Sequence, residues 1–279
     1  MSIIINKPTD WIQSSVRKGD GWHTDVSQLY DRLEVLTKEF KTDRNINLRY
    51  HSKESNCWHI KKGYVPGYFY FDKYGYAGWS ELAKSYTEPD ITMKEVLETI
   101  DICNYFIDNN ISKAPQPFHT DIPEKPYILV TGQLITDTVS KLAYIKCNEL
   151  PKLIRKVYKD TKYNVVFKPH PLDKSSEGVS GSIHELIKHS EAVFTVNSGT
   201  GFEALMQGKR VFTAGDCEYK WVTTELRNEQ DIIDSIELVE KPPQYGKMIR
   251  FLHHCFNEHF VNAYDDNSIR RKLSRVVNE

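Results

Sequence analysis

The sequence predicts an α/β chain whose C-terminal half is built on a parallel sheet. Three observations carry this reading. Short apolar runs, rich in β-branched residues, recur at 127–130, 164–167, 192–196 and Arg210–Thr213. Continuous apolar runs of this length mark strands buried on both faces, as parallel strands are. Helical segments separate them, among them Ile183–His189 and 202–206, the latter stopped by Gly208. Finally, each run opens into a polar loop, and the β-α-β-α-β order implies parallel pairing with right-handed crossovers.

The N-terminal third is less regular. Leu29, Leu33, Leu36 and Phe40 recur at helical spacing and predict a helix over 26–40. Residues 44–50 read as a short strand, as do Tyr68–Asp72 within the Gly- and Tyr-rich stretch 63–78. A helix is predicted over 91–107, with Val96, Ile100, Cys103 and Ile107 on one face and Thr92 and Glu95 forming a capping box. Prolines at 115, 117, 123 and 126 predict a linker. The expected division is 1–114, a linker 115–126, a domain 127–244 and C-terminal helices 245–279. Ser14–Asp20 mixes serines, cations and a glycine but lacks a P-loop pattern.

The net charge of -1 over 279 residues gives no argument for nucleic acid as partner. Five widely spaced cysteines, with no C-x-x-C pair, predict free thiols rather than disulfides or zinc. The start lacks the apolar core of a secretory signal, and no run approaches the ~20 apolar residues of a membrane span. These features predict a cytoplasmic chain, with membrane contact only at the periphery.

The polar loops are the candidate chemistry, because open α/β sheets bind ligands at the carboxyl ends of their strands. Lys168-Pro169-His170-Pro171 offers a cation and an imidazole between two prolines that fix the backbone. Asn197-Ser198-Gly199-Thr200-Gly201 offers hydroxyls, close backbone approach and a helix N-terminus. Together they suit an anion, most simply a phosphate. Glu203 in the first turn also fits simple complementarity to the helix dipole. Asp137 fits an N-cap of the segment beginning at Thr138. His253, His254 and His259 lack a carboxylate at ligand spacing and read as a solvated helix face.

Gly132-Gln133-x-x-x-Asp137, Lys168-Pro169-His170-Pro171 and Ser198-Gly199-Thr200-Gly201-Phe202-Glu203-Ala204-Leu205, in this order, resemble the capsule polysaccharide biosynthesis family, which includes retaining β-Kdo transferases. The resemblance covers 127–221. It implies a GT-B-like fold, with two Rossmann-type domains facing a cleft, the second holding a nucleotide sugar and the first a glycan or glycolipid acceptor. It implies that Asp137 is the nucleophile and Gln133 orients its loop, and that His170 meets the phosphate of a leaving CMP with Lys168 beside it. Ser198, Gly199, Thr200 and Gly201 then receive the nucleotide, Glu203 its ribose, Tyr219 lines its pocket, and Asn197 holds the loop or touches the base. Asp72 and Glu81 are the candidate general bases for the acceptor. No D-x-D motif is present, so neither a metal nor a cofactor beyond the donor substrate is expected. A UDP- or GDP-sugar donor, a sugar-nucleotide epimerase, and a non-catalytic sugar- or nucleotide-binding module are the competing readings.

Overall fold

The computed structural model describes residues 1–18, 22–51, 56–173 and 175–279. In chain order the elements are β1 (Ile3–Asn6), α1 (Thr9–Lys18), α2 (Trp22–Leu36), β2 (Ile46–Tyr50), β3 (Trp58–Lys62), β4 (Tyr68–Asp72), α3 (Glu81–Lys84), α4 (Met93–Asp108), β5 (Tyr127–Thr131), α5 (Leu150–Tyr158), β6 (Asn164–Lys168), α6 (Ile183–His189), β7 (Ala192–Thr195), α7 (Gly199–Met206), β8 (Arg210–Thr213), β9 (Thr224–Glu225), α8 (Glu229–Val239), α9 (Tyr245–His254), β10 (Phe260–Asn262) and α10 (Asp266–Asn278). They form two compact units, Met1–Leu82 with His254–Glu279, and Ala83–His253. Among the described residues no helix is long and apolar enough to cross a membrane.

The first unit is a five-stranded sheet in the order β1-β2-β3-β4-β10. It is mixed: β1, β2 and β3 run parallel, while β4 is antiparallel to both β3 and β10. Val26, Leu29, Tyr30 and Leu33 of α2, at helical spacing, pack with Ile269, Leu273 and Val276 of α10 against Leu48, Ile60, Phe69 and Phe71. The aromatic stretch is core: all five residues of β4 are buried. The predicted helical tail therefore contains a strand, β10, because Phe260 and Val261 complete the sheet beside β4. Two of the three tail histidines are packed rather than solvated. His259 is 6% exposed, and in the second unit His253 meets the Thr99 hydroxyl at 3.2 Å. Of the serine-glycine stretch, Gly19 and Asp20 lie outside the described residues, and the part before them ends α1.

The second unit is a fully parallel sheet, β6-β5-β7-β8-β9. The chain leaves β5 for β6 on one side and returns to β7 on the other, so the order reverses between β5 and β7. That reversal is where open parallel sheets leave a crevice. Ile128, Val130, Phe194 and Phe212 fill one face with Ile154 and Tyr158 of α5 and Ile232 of α8.

The compact units do not divide in the proline-rich segment. The division falls after Leu82, and α4 belongs to the second unit. Its capping box is present, but its buried residues are Thr99, Cys103 and Phe106, whereas Ile100 is exposed. The segment after it is tied down by side chains: Ile183 N–H donates to Gln116 Oε1 (2.8 Å), Ser182 N–H to Thr120 Oγ1 (2.7 Å), and Ser182 Oγ to Asn110 Oδ1. Prolines here shape a strap rather than separate two domains.

Candidate active site

In the second unit the carboxyl ends of β5, β6, β7 and β8 share one sheet edge, and the polar loops extend from them. The loops after β5 and β6 touch through their backbones. Gly132 N–H donates to the Lys168 carbonyl at 2.8 Å. A β-carbon on Gly132 would lie 2.9 Å from the His170 nitrogen and 3.2 Å from Pro169 Cα. Glycine is required by this close approach, not by its own dihedrals.

Asp137 caps the short 3-10 turn Thr138–Leu142, with Oδ1 accepting from Val139 N–H at 3.4 Å. Its other oxygen accepts from the Gln133 amide at 3.1 Å. The capping role and the oriented-carboxylate role thus coexist. His170 Nδ1 accepts from Leu172 N–H at 3.2 Å. A ring nitrogen that accepts carries no proton, so the neutral imidazole holds its proton on Nε2. Burial lowers the proton affinity of His170, Asp137 and Asp173 raise it, and Lys113 lowers it again; the net shift is downward. At neutral pH the ring is therefore an uncharged donor within the electrostatic reach of Asp137.

Lys168 is engaged elsewhere than expected. Its ammonium donates to the Gly181 carbonyl at 2.7 Å, and burial lowers its pKa against the opposing pull of Glu203. It braces the loop after β6 against the strap-bound 181–184 segment.

Ser198 caps α7, accepting from Thr200 N–H at 3.4 Å. Gly199, Thr200 and Gly201 form the first turn. Asn197 is 3% exposed and holds the loop: its amide donates to Val139 O (2.9 Å) and Asp216 O (3.3 Å), joining three strand-end loops. Tyr219 is fully buried, and its hydroxyl donates to Ser198 O at 2.7 Å. A β-carbon on Gly201 would come within 2.7 Å of that hydroxyl. The expectation that Tyr219 lines a pocket is corrected: it buttresses the loop from behind.

Glu203 sits one turn further into α7 than expected, because the helix begins at Gly199. It is 4% exposed, and burial pushes its carboxyl up to about 7 against the opposing effects of a Ser112 hydrogen bond and the Lys113 and Lys168 charges. Its Oε1 is buried without a hydrogen-bond partner. Ser112 and Lys113 are the residues that sequence reasoning missed here. They follow α4 on the far side of the prolines, and no spacing links them to α7; only the folded strap does.

The two candidate bases lie in the first unit and are engaged in structural contacts. Asp72 is 2% exposed, and its oxygens accept from Tyr74 N–H (2.7 Å), Gly75 N–H (3.0 Å) and Glu81 N–H (2.8 Å). Burial raises its pKa against these bonds and the nearby Lys272. A carboxylate so bonded organises the turn into α3. Glu81 is ion-paired with Arg275 of α10. In the structure both carboxylates take part in contacts that hold the fold.

Residues 179–232 match the family model described as Capsule polysaccharide biosynthesis protein, a stretch that includes the Asn197–Gly201 loop, Glu203 and Tyr219. Two solved structures from Thermosulfurimonas dismutans share the fold. KpsC, beta Kdo 2,7 transferase, is 19% identical with a TM-score of 0.55, over 88% of this chain and 88% of that one. KpsC, beta Kdo 2,4 transferase, is 15% identical with a TM-score of 0.54, over 81% of this chain and 86% of that one. No curated protein matches the chain by sequence. The chain thus carries, within residues 179–232, the sequence signature of the capsule polysaccharide biosynthesis proteins on the GT-B-like fold of the KpsC transferases.

Proposed function

We propose that this chain is a glycosyltransferase of capsule or surface polysaccharide synthesis, moving a 3-deoxy-ulosonic acid such as Kdo from its CMP donor to a glycan or glycolipid acceptor. The observation that carries it is that His170 lies within the electrostatic reach of Asp137. They stand on loops of adjacent strands β5 and β6, pinned by the Gly132 contact, at the edge that also bears the N-terminus of α7. Asp137, oriented by Gln133, attacks the anomeric carbon as that carbon's bond to the CMP phosphate oxygen breaks. His170 donates its Nε2 proton as a hydrogen bond to the departing phosphate. The N-terminus of α7 supplies a favourable dipole to the same phosphate. The acceptor hydroxyl then displaces Asp137 and releases its proton to solvent, and two displacements retain configuration.

Thermal shifts with CMP, UDP and GDP on wild type and H170A test the donor site. CMP at about 100 Kd should stabilise by about 2.7 kcal/mol, and H170A should lose most of that. A response to UDP or GDP instead would replace the donor while leaving the transferase reading. Transfer should vanish in D137A; CMP binding without turnover, equal in wild type and D137N, would make the chain a binding module.

A further inference from the structure

Asn197 follows β7 in the second unit and is 3% exposed. Its amide nitrogen carries two hydrogens, and each meets a different carbonyl: Val139 O at 2.9 Å and Asp216 O at 3.3 Å. The first of these reaches toward the chemistry. Val139 N–H donates to Asp137 Oδ1 at 3.4 Å, while the Gln133 amide holds Asp137 Oδ2 at 3.1 Å. The turn after Asp137 is also stitched to the segment that follows β8. Tyr144 N–H donates to Ala214 O at 2.8 Å, and Asp216 N–H to Leu142 O at 2.9 Å. A β-carbon on Gly215 would lie 3.0 Å from the Leu142 carbonyl oxygen, so the two backbones run close together there. Asn197 therefore ties the turn that Asp137 caps to the frame behind it. This hold has a cost, because Asn197 Oδ1 and Gln133 Oε1 are both buried with no hydrogen-bond partner. An unpaired buried acceptor is destabilising, so a residue that served packing alone would do better without the amide. Nor does a near isostere supply the same hold. An aspartate turns oxygens toward two carbonyls, and a serine is shorter and has one hydrogen.

We propose that Asn197 is a positioning residue for Asp137. It fixes the Val139 peptide, and through that peptide the direction from which the Asp137 carboxylate meets the donor's anomeric carbon. The inference rests on the proposed role of Asp137 as nucleophile. In that step a bond forms between a carboxylate oxygen and the anomeric carbon. The bond from that carbon to the phosphate oxygen breaks, and CMP leaves with the electron pair. Such an attack tolerates little misplacement, and a shift of about 1 Å costs on the order of 10²-fold in rate. Asn197 acts on this rate rather than on nucleotide affinity. The Ser198 loop has its own supports: Ser198 N–H donates to Thr195 Oγ1 at 3.2 Å, and the Tyr219 hydroxyl donates to Ser198 O at 2.7 Å. Neither bond involves the Asn197 side chain.

The test is a single-turnover reaction of the full chain with CMP-Kdo in the absence of acceptor. CMP release and the sugar adduct on the protein, located by peptide mass spectrometry, are followed in wild type, N197A and N197S. D137N, which forms no adduct, sets the baseline. Calorimetry gives the CMP affinity of each variant, and far-UV circular dichroism checks folding. Each folded variant should bind CMP within about threefold of wild type and form the adduct on the order of 10²-fold more slowly at saturating donor. A merely structural role moves the other readout: CMP affinity falls, and the saturated rate of adduct formation stays at the wild-type value. A wild-type adduct rate in either variant would overturn the proposal. So would loss of CMP affinity in both, which would make Asn197 a prop of the nucleotide loop. If N197A does not fold, N197S, which keeps a short hydroxyl, decides alone. If wild type binds CMP yet forms no adduct, the nucleophile reading falls and takes this inference with it. If wild type reacts and N197A reacts as fast, the inference falls alone.

Discussion

Replacing Glu203 by glutamine should change how the protein's stability depends on pH. Glu203 is 4% exposed, and burial raises its carboxyl from the usual 4.5 to about 7. The folded chain therefore binds this proton more tightly than the unfolded chain does. Stability from Glu203 is fully present below pH 4.5, falls as pH rises, and is gone above pH 7. A shift of this size corresponds to about 3 kcal/mol, an order-of-magnitude figure. His170 and His184 act in the opposite sense: burial lowers both, so their contributions are present above pH 6.5 and fade on acidification. The wild-type profile mixes these trends, so the informative quantity is the difference between E203Q and wild type. Urea unfolding between pH 4.5 and 8.5 should show E203Q gaining about 3 kcal/mol relative to wild type from the acid to the alkaline end. Packing losses from the substitution do not depend on pH and shift the whole difference curve by a constant. A flat difference curve would refute the reasoning. It would mean that Lys113 and Lys168 hold Glu203 ionised throughout, as a paired ion rather than a buried acid.

Gly132→Ala should destabilise the second unit by about 1–3 kcal/mol and weaken CMP binding, because the new methyl meets the His170 backbone rather than a movable side-chain end; an unchanged melting temperature and CMP response would show that the two loops separate freely. Tyr219→Phe should cost about 1–2 kcal/mol by leaving the Ser198 carbonyl without its hydroxyl donor, and calorimetry should find reduced CMP affinity although the residue touches no ligand. Asp72→Asn should destabilise by about 2–3 kcal/mol, since an amide nitrogen cannot accept from the backbone N–H groups of Tyr74, Gly75 and Glu81. Its melting temperature should drop while CMP binding persists, whereas loss of transfer at full stability would restore Asp72 as a base.

The sequence by itself determined the second sheet and the loops on its edge. Buried parallel strands must be continuous apolar runs, and their loops must be polar, so Tyr127–Thr131, Ala192–Thr195 and Arg210–Thr213 stand out, and Ile183–His189 falls between its caps. That Gln133, Asp137 and His170 lie in polar strand-end loops was legible for the same reason, and each has a short-range partner there. Tertiary structure decided what depends on distant contacts. Where the Tyr219 ring packs depends on Gly201, eighteen positions earlier in the chain, whose missing side chain leaves room for it. Whether Asp72 and Glu81 are bases or braces is set by the turn they organise and by Arg275 at the other end of the chain. The proline-rich segment looks like a linker locally, yet it is a strap, because Gln116 and Thr120 find their partners on the segment that opens α6. Local pattern fixes which residues are buried in a strand; only the fold fixes which polar groups are left for chemistry after packing has claimed the rest.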